Sequence, residues 1–371
     1  MGTRFDTGSS GNVASAAKRL RIYERYIHRE HARLLLGVLW AFCLLFTIAT
    51  FLDTVDDAIE NHVPALYALE VALLKLPSAI KELAGVSVAA SVLTLTLMLS
   101  KNLEPVILRS LGVDLRVLVK PLAIQGGILA LVAFFNASFL APSLLLRAQE
   151  VYHRTIKGER YVKKVTPVKM WVKHKGFICY IGFFNTKRRR ARDVRCYSDK
   201  GVFVKAEEAR WKGRWMGHNV KRWEIEGERT RISSYRVTEL DMLPTPGELS
   251  GMGKGPQEMD TIELVKVILA LNREGINSRT YQVELASRIF LPLLCVVLAV
   301  LAFPLGIVEP RKAQVTLSLA KGIALVVGSY TLYYGFAFMG TRGVLNPLLA
   351  SFIPLALMGA AAVHTLRRGI C

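Results

Sequence analysis

The sequence predicts an α-helical membrane protein with six transmembrane helices, arranged three and three around an inserted all-β domain. Six uncharged hydrophobic runs support this prediction, because each is close to the roughly 20 residues that a helix needs to cross a hydrocarbon core of about 30 Å. A polar, highly charged stretch over residues 147–288 separates the third run from the fourth. The runs cover residues 34–52, 83–100, 121–146, 289–308, 322–341 and 343–366.

Composition excludes the main alternative classes of protein. The 371 residues are 52% hydrophobic, yet they include 49 Lys and Arg against 29 Asp and Glu. A disordered chain would contain fewer apolar residues than this, and a soluble fold would not need six uninterrupted apolar runs. The chain is therefore expected to work across a bilayer.

The charges on the short flanks of the runs predict the orientation. Cytoplasmic loops are enriched in Lys and Arg, and such residues lie before the first run, between the second and third, between the fourth and fifth, and after the sixth. The flank after the first run is acidic instead. Both termini are therefore predicted to be cytoplasmic and the insert to lie outside; the insert is itself basic, but long domains translocate largely regardless of charge. The acidic residues of that flank are Asp53, Asp56, Asp57 and Glu60.

The N-terminal region is predicted to be a tail followed by an uncleaved anchor. Residues 1–20 are rich in Gly, Ser and Ala at their start, which predicts a disordered cytoplasmic tail. The first apolar run has the length of a full membrane span and no clear small-residue cleavage site after it, which favours an anchor over a cleaved signal peptide. Residues 21–146 then form the first three spans.

The insert over 147–258 is predicted to be an all-β domain built from regular hairpins, as in a sandwich or jelly roll. Turn-like clusters at 185–187, 199–201, 212–213 and 226–228 recur every 13 to 14 residues or so. The segment from Phe177 to Phe184 is apolar on both faces, as a strand covered on both sides would be. A Pro/Gly-rich stretch over 244–256 is expected to act as a linker.

A connecting helix is predicted within 259–288, before spans four to six in residues 289–371. Asp260 can cap its N-terminus, and four apolar residues recur on roughly one stripe of the helix. The helix is expected to lead back to span four. The stripe consists of Ile262, Val265, Leu269 and Ile276.

The five cysteines show no metal-binding spacing. Only Cys179 and Cys196 share the exported domain, where oxidation to a disulfide is possible. Two buried thiols on neighbouring strands are the favoured interpretation, with a disulfide as the alternative.

The loop between spans two and three contains a short, well-capped helix over 102–112. Asn102 can serve as its N-cap, and Pro105 falls in the first turn, where the missing N–H costs nothing. Glu104 lies at the positive end of the helix dipole, Arg109 lies near the negative end, and Gly112 suits the left-handed position after the helix. Such a helix offers a soluble motor a surface to push on; the alternative is an ordinary solvated loop helix. Its apolar face would be Leu103, Val106, Ile107 and Leu111.

A set of short motifs follows in a fixed order along the chain. They are RYIHRE at 25–30, FLD at 51–53, LSKNLE at 99–104 with RSLG at 109–112, YQVEL at 281–285, PLG at 304–306 and EPR at 309–311. This ordered set, with the β insert between spans three and four, resembles the LptF/LptG (YjgP/YjgQ) permeases of the lipopolysaccharide export machine. The resemblance runs from about residue 20 to the end of the sequence. The proline and arginine of EPR and the LNP motif at 345–347 favour the LptF branch.

The resemblance implies a permease subunit of an ABC transporter in the bacterial inner membrane, without a catalytic site or cofactor of its own. Its expected partners are a sister LptF/LptG-type permease, a dimeric LptB-type ATPase, and LptC-type and LptA-type jellyroll proteins that receive lipopolysaccharide. The insert would be a periplasmic β-jellyroll domain. The ATPase-coupling residues would be Glu104 with Arg109 and Gly112. The sequence agrees, because it contains no G-x-x-x-x-G-K-[ST] motif for ATP.

Several positions are expected to contact lipid. Thr50 stands where some LptG-type chains have a lysine suited to a lipid A phosphate, so phosphate contacts are expected from basic residues elsewhere or from the sister subunit. Lys321 is an intramembrane charge and hence a functional hypothesis, although it can instead snorkel to the cytoplasmic surface. The aromatic strand either lines a lipid groove or is an ordinary packed core. The full set of lipid-contacting candidates is Thr50, Phe51, Asp53, Arg147, Lys321, Phe177 and Phe183.

Three other functions are alternatives to lipid transport. A non-transporting, force-transmitting ABC membrane subunit is the nearest alternative. A membrane-embedded lipid-modifying enzyme would need convergent polar groups, and the spans offer little beyond Gln125, Asn136, Lys321 and His364. A nucleic-acid binder is suggested by KRRRAR at 187–192 near three tryptophans, but its predicted position outside the membrane argues against it.

Overall fold

The computed structural model describes residues 9–158, 170–174, 176–185, 189–198, 201–226, 229–246, 249, 255–273, 277–308 and 312–367. Within them, six helices are long and apolar enough to cross a membrane, and an antiparallel β-sheet lies between the third and the fourth. The predicted fold class, a helical membrane protein with an inserted β domain, is confirmed. The spans are Tyr23–Glu60, Leu66–Lys101, Leu115–Ile156, Arg279–Gly306, Gln314–Arg342 and Pro347–Arg367.

The helices and strands follow one another in a simple order. Short 3₁₀ turns occupy Leu115–Leu118 and Pro256–Glu258, and π-helical turns at Asn136–Leu140 and Tyr152–Ile156 flank α5. The elements are α1 Ser9–Glu60, α2 Leu66–Lys101, α3 Glu104–Ser110, α4 Val119–Phe135, α5 Ala141–Val151, β1 Met170–His174, β2 Phe177–Asn185, β3 Arg190–Ser198, β4 Val202–Trp211, β5 Trp215–Glu226, β6 Arg229–Glu239, α6 Thr261–Arg273, α7 Arg279–Gly306, α8 Lys312–Arg342 and α9 Pro347–Arg367.

The chain divides into two compact units. The helical unit consists of Met1–Ala49, Leu76–Ala137 and Ala286–Cys371, and the β unit consists of Thr50–Lys75 and Ser138–Leu285. The β unit therefore includes the end of α1, the start of α2 and the whole of α5 in addition to the sheet. Helix α1 begins at Ser9, inside the segment for which composition predicts disorder; the alanines, lysine and single arginine between Ser9 and Leu20 favour helix.

Spans two and four form the centre of the helical unit. Their most apolar windows are 67% and 61% buried by the chain itself, against 6% for span one and 17% for span five. Close backbone approach contributes to this packing: a Cβ added at Gly126 of α4 would stand 3.1 Å from the carbonyl oxygen of Cys295 in α7. Spans one and five thus present most of their apolar surface outward, to lipid or to another chain.

A buried polar cluster joins the first three spans inside the helical unit. His31 is fully buried, and its Nδ1 donates to Gln125 Oε1, because a carbonyl oxygen can only accept. The His31 Nε2 lies 3.1 Å from Ser91 Oγ, and Gln125 Nε2 donates to the backbone oxygen of His28 at 2.7 Å. Each buried polar group here has a partner, so the cluster fixes α1, α2 and α4 relative to one another.

The six strands form one antiparallel sheet in the order β1-β2-β3-β4-β5-β6. Each described strand pairs with its sequence neighbours, so this part of the domain is a meander without a Greek-key crossover. Its buried face packs around Trp215, whose Nε1 donates to Pro244 O at 2.7 Å. Leu243 and Leu249 complete the core, so described parts of the Pro/Gly-rich stretch pack against the sheet.

In four neighbouring strands, the alternation of inward-facing and outward-facing residues shifts by one residue at the same level of the sheet. Each has two consecutive outward residues between two buried ones, and both buried rows remain in register across the strands. Asp193 and Asn219 adopt left-handed φ values of 50° and 52° there, and Asn219 Nδ2 donates to Glu207 Oε2 at 2.9 Å. The outward pairs are Gly182–Phe183, Arg192–Asp193, Glu207–Glu208 and His218–Asn219.

Cys179 and Cys196 form a disulfide between β2 and β3. The two residues are direct cross-strand partners with a Cα–Cα distance of 3.9 Å. The favoured sequence interpretation, two unpaired buried thiols, is therefore wrong about the bond and right about burial and neighbouring strands. The pairing depends on strand register, which the cysteine spacing alone does not define.

Helix α6 buries a different stripe from the one noted in the sequence. Asp260 caps it as expected, accepting from the backbone N–H of Glu263 at 2.6 Å. The apolar stripe noted in the sequence is not the buried one: its described members Ile262, Val265 and Leu269 are exposed, while Ile276 lies outside the described residues. The helix is apolar on two sides, so periodicity alone could not choose between them. The buried stripe is Leu264, Val267, Ile268 and Leu271.

Candidate functional site

The predicted loop helix exists as α3, and its N-terminus is built differently from the prediction. Leu103 occupies the N-cap position with a left-handed φ of 59°, and Pro105 lies in the first turn as expected. Asn102 is not the N-cap, so that expectation is wrong. Its Nδ2 instead donates to Glu104 Oε1 at 3.4 Å. Asn102 therefore contacts the carboxylate of the helix rather than its backbone.

The C-terminus of α3 is closed by its own backbone. The N–H of Gly112 donates to Arg109 O at 2.9 Å, and the N–H of Val113 donates to Leu108 O at 3.0 Å. These two bonds form a Schellman motif, which requires a left-handed residue after the helix. Gly112 supplies it with a φ of 71°. The predicted role of this glycine in ending the helix is confirmed.

Glu104 is held by a tyrosine that sequence reasoning missed. Tyr23 Oη donates to Glu104 Oε2 at 2.7 Å, so the start of span one contacts the start of α3. With Asn102 near the other oxygen, both oxygens of the half-buried carboxylate have a donor. Tyr23 lies two residues before the RYIHRE motif and 81 before its partner, and no local pattern connects positions so far apart.

Most of the apolar residues in and beside α3 point outward. Pro105 is buried and Leu108 is half-buried against the helical core, while Arg109 is exposed near the end of the helix. The face expected to be apolar is thus an exposed patch next to Glu104 and Arg109. An exposed apolar patch of this kind marks a surface for another protein or for lipid. Its members Leu103, Val106, Ile107 and Leu111 are 50% to 71% exposed.

The end of α2 that precedes α3 is tied to the end of α7. Ser100 Oγ donates to Gly306 O at 2.9 Å and accepts from the N–H of Val308 at 3.3 Å. A Cβ added at Gly306 would stand 1.7 Å from Thr96 Oγ1 and 3.1 Å from Leu93 O. The loop that leads into α3 therefore starts from a rigid point of the bundle.

The lipid-contacting candidates at the end of span one lie in the β unit. Thr50 is 8% exposed, and its carbonyl accepts from Thr54 Oγ1, so it offers little to a ligand. Phe51 is partly buried in a cluster with Ala148, the residue after Arg147. Asp53 and Arg147 are exposed, as groups that contact a headgroup would be.

A second group of charged residues gathers beside the same apolar cluster, and the sequence prediction did not include it. Tyr152 Oη donates to Asp57 Oδ2, and Lys157 Nζ lies 4.0 Å from that carboxylate. Lys157 and Lys75 lie 5.1 Å and 5.7 Å from the centroid of the Tyr152 ring. Asp57, from the acidic flank after span one, is thus paired with Lys157, which directly follows span three. No local sequence pattern connects two residues that are so far apart in the chain.

The two phenylalanines proposed for a lipid groove lie in different surroundings. Phe177 packs against the buried core of the sheet, and Phe183 is half-buried in one of the outward pairs, opposite Arg192. The ring of Phe184, the next residue, packs edge-on against Trp215 in the core. The strand therefore has core residues on one side and Phe183 on the other.

The outward face of the sheet is basic, and its carboxylates are locally paired. Glu208 accepts from Arg210 at 3.0 Å and lies 3.6 Å from Arg190, so its pKa falls below the ordinary value for a glutamate. Asp193 is paired with Arg195 at 2.9 Å. Arg192, Lys205 and Lys221 are exposed beside them. This face can attract anions.

Lys321 lies in the helical unit, exposed in α8, and lines a cavity with the end of α7. Lys321 is therefore far in the sequence from the other lipid-contacting candidates. It also belongs to a different unit, because the others lie in the β unit. Glu104, Arg109 and Gly112 share its unit and lie together on or beside α3.

Comparison with protein families identifies the chain. Residues 25–368 match the family described as lipopolysaccharide export system permease LptF/LptG. The chain belongs to the LptF/LptG family. Membership makes it a multi-pass transport permease of lipopolysaccharide export, as the motif order predicted, and it does not distinguish the two branches. A comparison with individually curated proteins finds no significant match.

Proposed function

We propose that this permease extracts lipopolysaccharide from the outer leaflet of the bacterial inner membrane, driven by a separate dimeric ATPase of the LptB type. The observation that supports the coupling role most directly is the Tyr23–Glu104 hydrogen bond at 2.7 Å on an exposed, self-capped helix. A carboxylate held this way keeps one orientation, so a basic residue of a partner can bind it without first ordering it. The entropy cost of ordering the Glu104 side chain is then no longer part of the binding step.

The surface around Glu104 suits a soluble protein partner. Exposed leucine, isoleucine and valine side chains surround one acidic and one basic residue, which is the composition of an apolar contact with a charged rim. A movement of the partner would reach the bundle through α3, because Leu108 and Pro105 pack inward and Ser100 ties the preceding helix to α7. The ATPase would in this way supply the energy that the permease uses.

Further partners follow from the surfaces that the chain leaves uncovered. Span one has little contact with its own chain, so a sister LptF/LptG-type permease would cover it and complete the lipid pathway. In the orientation that the flanking charges favour, with both termini cytoplasmic, the sheet lies in the periplasm. There it would pass lipopolysaccharide to LptC-type and LptA-type jellyroll proteins. Phe51, Asp53 and Arg147, with Phe183 on the sheet, are the proposed lipid contacts.

The proposal is tested with Glu104→Ala in the reconstituted complex. ATP-driven release of lipopolysaccharide from proteoliposomes and copurification of the ATPase should both fall, whereas folding survives because a partly exposed carboxylate contributes little to stability. Asp114→Asn is the matched control, since Asp114 is an exposed acid of the same loop that pairs with Arg116 at 3.6 Å. Wild-type release by Glu104→Ala would remove the coupling role. Retained ATPase binding and hydrolysis without any release by the wild-type complex would favour a force-transmitting subunit.

A further inference from the structure

A cavity of about 440 Å³ lies where α7 ends and α8 begins, and neither the coupling surface nor the lipid contacts proposed above include it. Most of its lining is apolar, and three polar side chains face it. The walls come from one short stretch of chain on either side of the loop between spans four and five. The lining residues are Pro304, Leu305, Ile307, Val308, Gln314, Leu317, Ser318 and Lys321.

The walls of the cavity are fixed by hydrogen bonds. Ser318 Oγ donates to Leu305 O, and Ser100 Oγ donates to Gly306 O at 2.9 Å. These two hydroxyls satisfy carbonyl groups at the end of α7, where a helix leaves its last carbonyls without partners. The hydroxyl hydrogen of Ser318 is therefore used within the cavity wall, and this bond shapes the cavity without a ligand.

The other two polar side chains of the lining are not satisfied by the described parts of the protein. Gln314 Oε1 is buried and accepts no hydrogen bond from the described part of the chain. Lys321 is exposed and makes no hydrogen bond or ion pair with any residue that the structure describes. A buried acceptor without a donor is costly. Gln314 therefore offers an acceptor, and Lys321 a cation, to a ligand in the cavity.

Lys321 lies directly before the apolar run of span five, which covers residues 322–341. A lysine at this edge of a span reaches the level of the lipid headgroups. Its neighbours on the wall, Leu317 and Ile307, are apolar. A ligand that reaches Lys321 here must therefore combine an anionic group with apolar surface.

We propose that this cavity binds the headgroup of an anionic glycerophospholipid such as phosphatidylglycerol. The lipid phosphate would pair with the Lys321 ammonium, a headgroup hydroxyl would donate to Gln314 Oε1, and the first carbons of the acyl chains would lie against Leu317 and Ile307. Basic pockets between transmembrane helices are known to take such headgroups. In the proposed orientation the lipid belongs to the cytoplasmic leaflet, so it is distinct from the exported glycolipid.

The test is native mass spectrometry of the full chain, purified with the subunits that copurify, during titration with dioleoyl phosphatidylglycerol. Lys321→Met should weaken the tightest lipid-binding event about fivefold, the effect of one cation near a phosphate, and Lys321→Arg should retain it. Gln314→Leu should weaken it as well. Lys101→Met is the matched control, because Lys101 is an exposed lysine at the end of α2 and does not line the cavity.

Each outcome decides the proposal independently of export. Equal lipid binding by the wild type and Lys321→Met would overturn it and leave Lys321 as a lysine that reaches water. Displacement of the lipid by inorganic phosphate alone would assign the cavity to free phosphate and overturn the lipid assignment. The variants should retain the size-exclusion profile of the wild type, and Gln314→Leu provides a second, uncharged substitution if Lys321→Met does not fold. Loss of lipopolysaccharide release with unchanged phospholipid binding would bear only on the proposed transport function.

Discussion

Tyr23 and Asn102 give Glu104 a fixed orientation with only two hydrogen bonds. The tyrosine hydroxyl is the closer donor, at 2.7 Å against 3.4 Å for the amide. A charge-assisted bond of this kind is stronger than a neutral one. Because the contact joins span one to α3, a change at Tyr23 should alter coupling without altering the binding of lipid.

Tyr23→Phe is predicted to impair coupling while keeping the fold. The ring stays and only the hydroxyl is lost, so the carboxylate becomes free to rotate and should bind its partner about tenfold more weakly, as expected for a hydrogen bond to a charged group. ATPase retention and ATP-driven lipopolysaccharide release measure the effect. Tyr26→Phe is the matched control, since Tyr26 packs 5.8 Å from the Tyr23 ring and is exposed. An equal loss in both variants would contradict the role of the hydroxyl.

At the scale of the helices and strands, the sequence predicted the features that single residues determine, such as the ends of α3. Pro105 and Gly112 define the ends of α3 because a fixed φ and a left-handed φ are properties of single residues. The Asn102 cap failed because Leu103 takes the capping position in a left-handed conformation. The Tyr23–Glu104 contact and the Cys179 pairing were out of reach of such reasoning, since they depend on helix packing and strand register.

Gly306→Val is predicted to disrupt the junction of α2 and α7. The first added carbon would stand 1.7 Å from Thr96 Oγ1 and 3.1 Å from the backbone oxygen of Leu93, and a backbone atom cannot move aside cheaply. Overpacking of this kind costs about 1–3 kcal/mol or more. Thermal unfolding in detergent should show a clear loss. Gly335→Val provides the control because nothing lies within 4 Å of its added Cβ; equal stability of the two variants would show that the junction is not tightly packed.

Removal of the disulfide is predicted to destabilise the β domain selectively. Cys179 and Cys196 are 17 residues apart, and closing a loop of this size typically contributes about 3 kcal/mol. Cys179→Ser should therefore increase protease cleavage within the sheet and lower its unfolding temperature. Cys43→Ser, at a free cysteine in span one, should change neither. Alkylation of Cys179 and Cys196 in the unfolded, unreduced protein would show that the bond is not formed in the cell.

At the scale of the whole chain, the six apolar runs and the insert were predictable because bilayer thickness constrains every span. The structure extends most spans beyond the predicted runs, as in Tyr23–Glu60, since charged residues at helix ends do not interrupt the helix. Which surfaces of the spans are buried was not predictable, because an apolar residue can face lipid as well as protein. That is why the weak burial of span one became visible only in three dimensions.

The predicted orientation places the sheet and α3 on opposite sides of the membrane. A cysteine introduced at exposed Lys205 on β4 should react with a membrane-impermeant maleimide from the outer side of intact cells. A cysteine at exposed Lys101, which precedes α3, should react only after the membrane is opened. Both variants are made in a chain from which Cys43 and Cys371 have been replaced. The reverse labelling pattern would invert the orientation and reject the proposed contact between α3 and the ATPase.

The outward pairs shared by β2, β3, β4 and β5 also limit how the sheet can evolve. Deleting one residue from a single strand at this level would turn half of that strand inside out relative to its neighbours, because the side chains of a strand alternate with a period of two. Only a matched change in adjacent strands restores both buried rows. Across related permeases, strand lengths on either side of this level should therefore change together or remain constant, while the turns between strands vary freely in length.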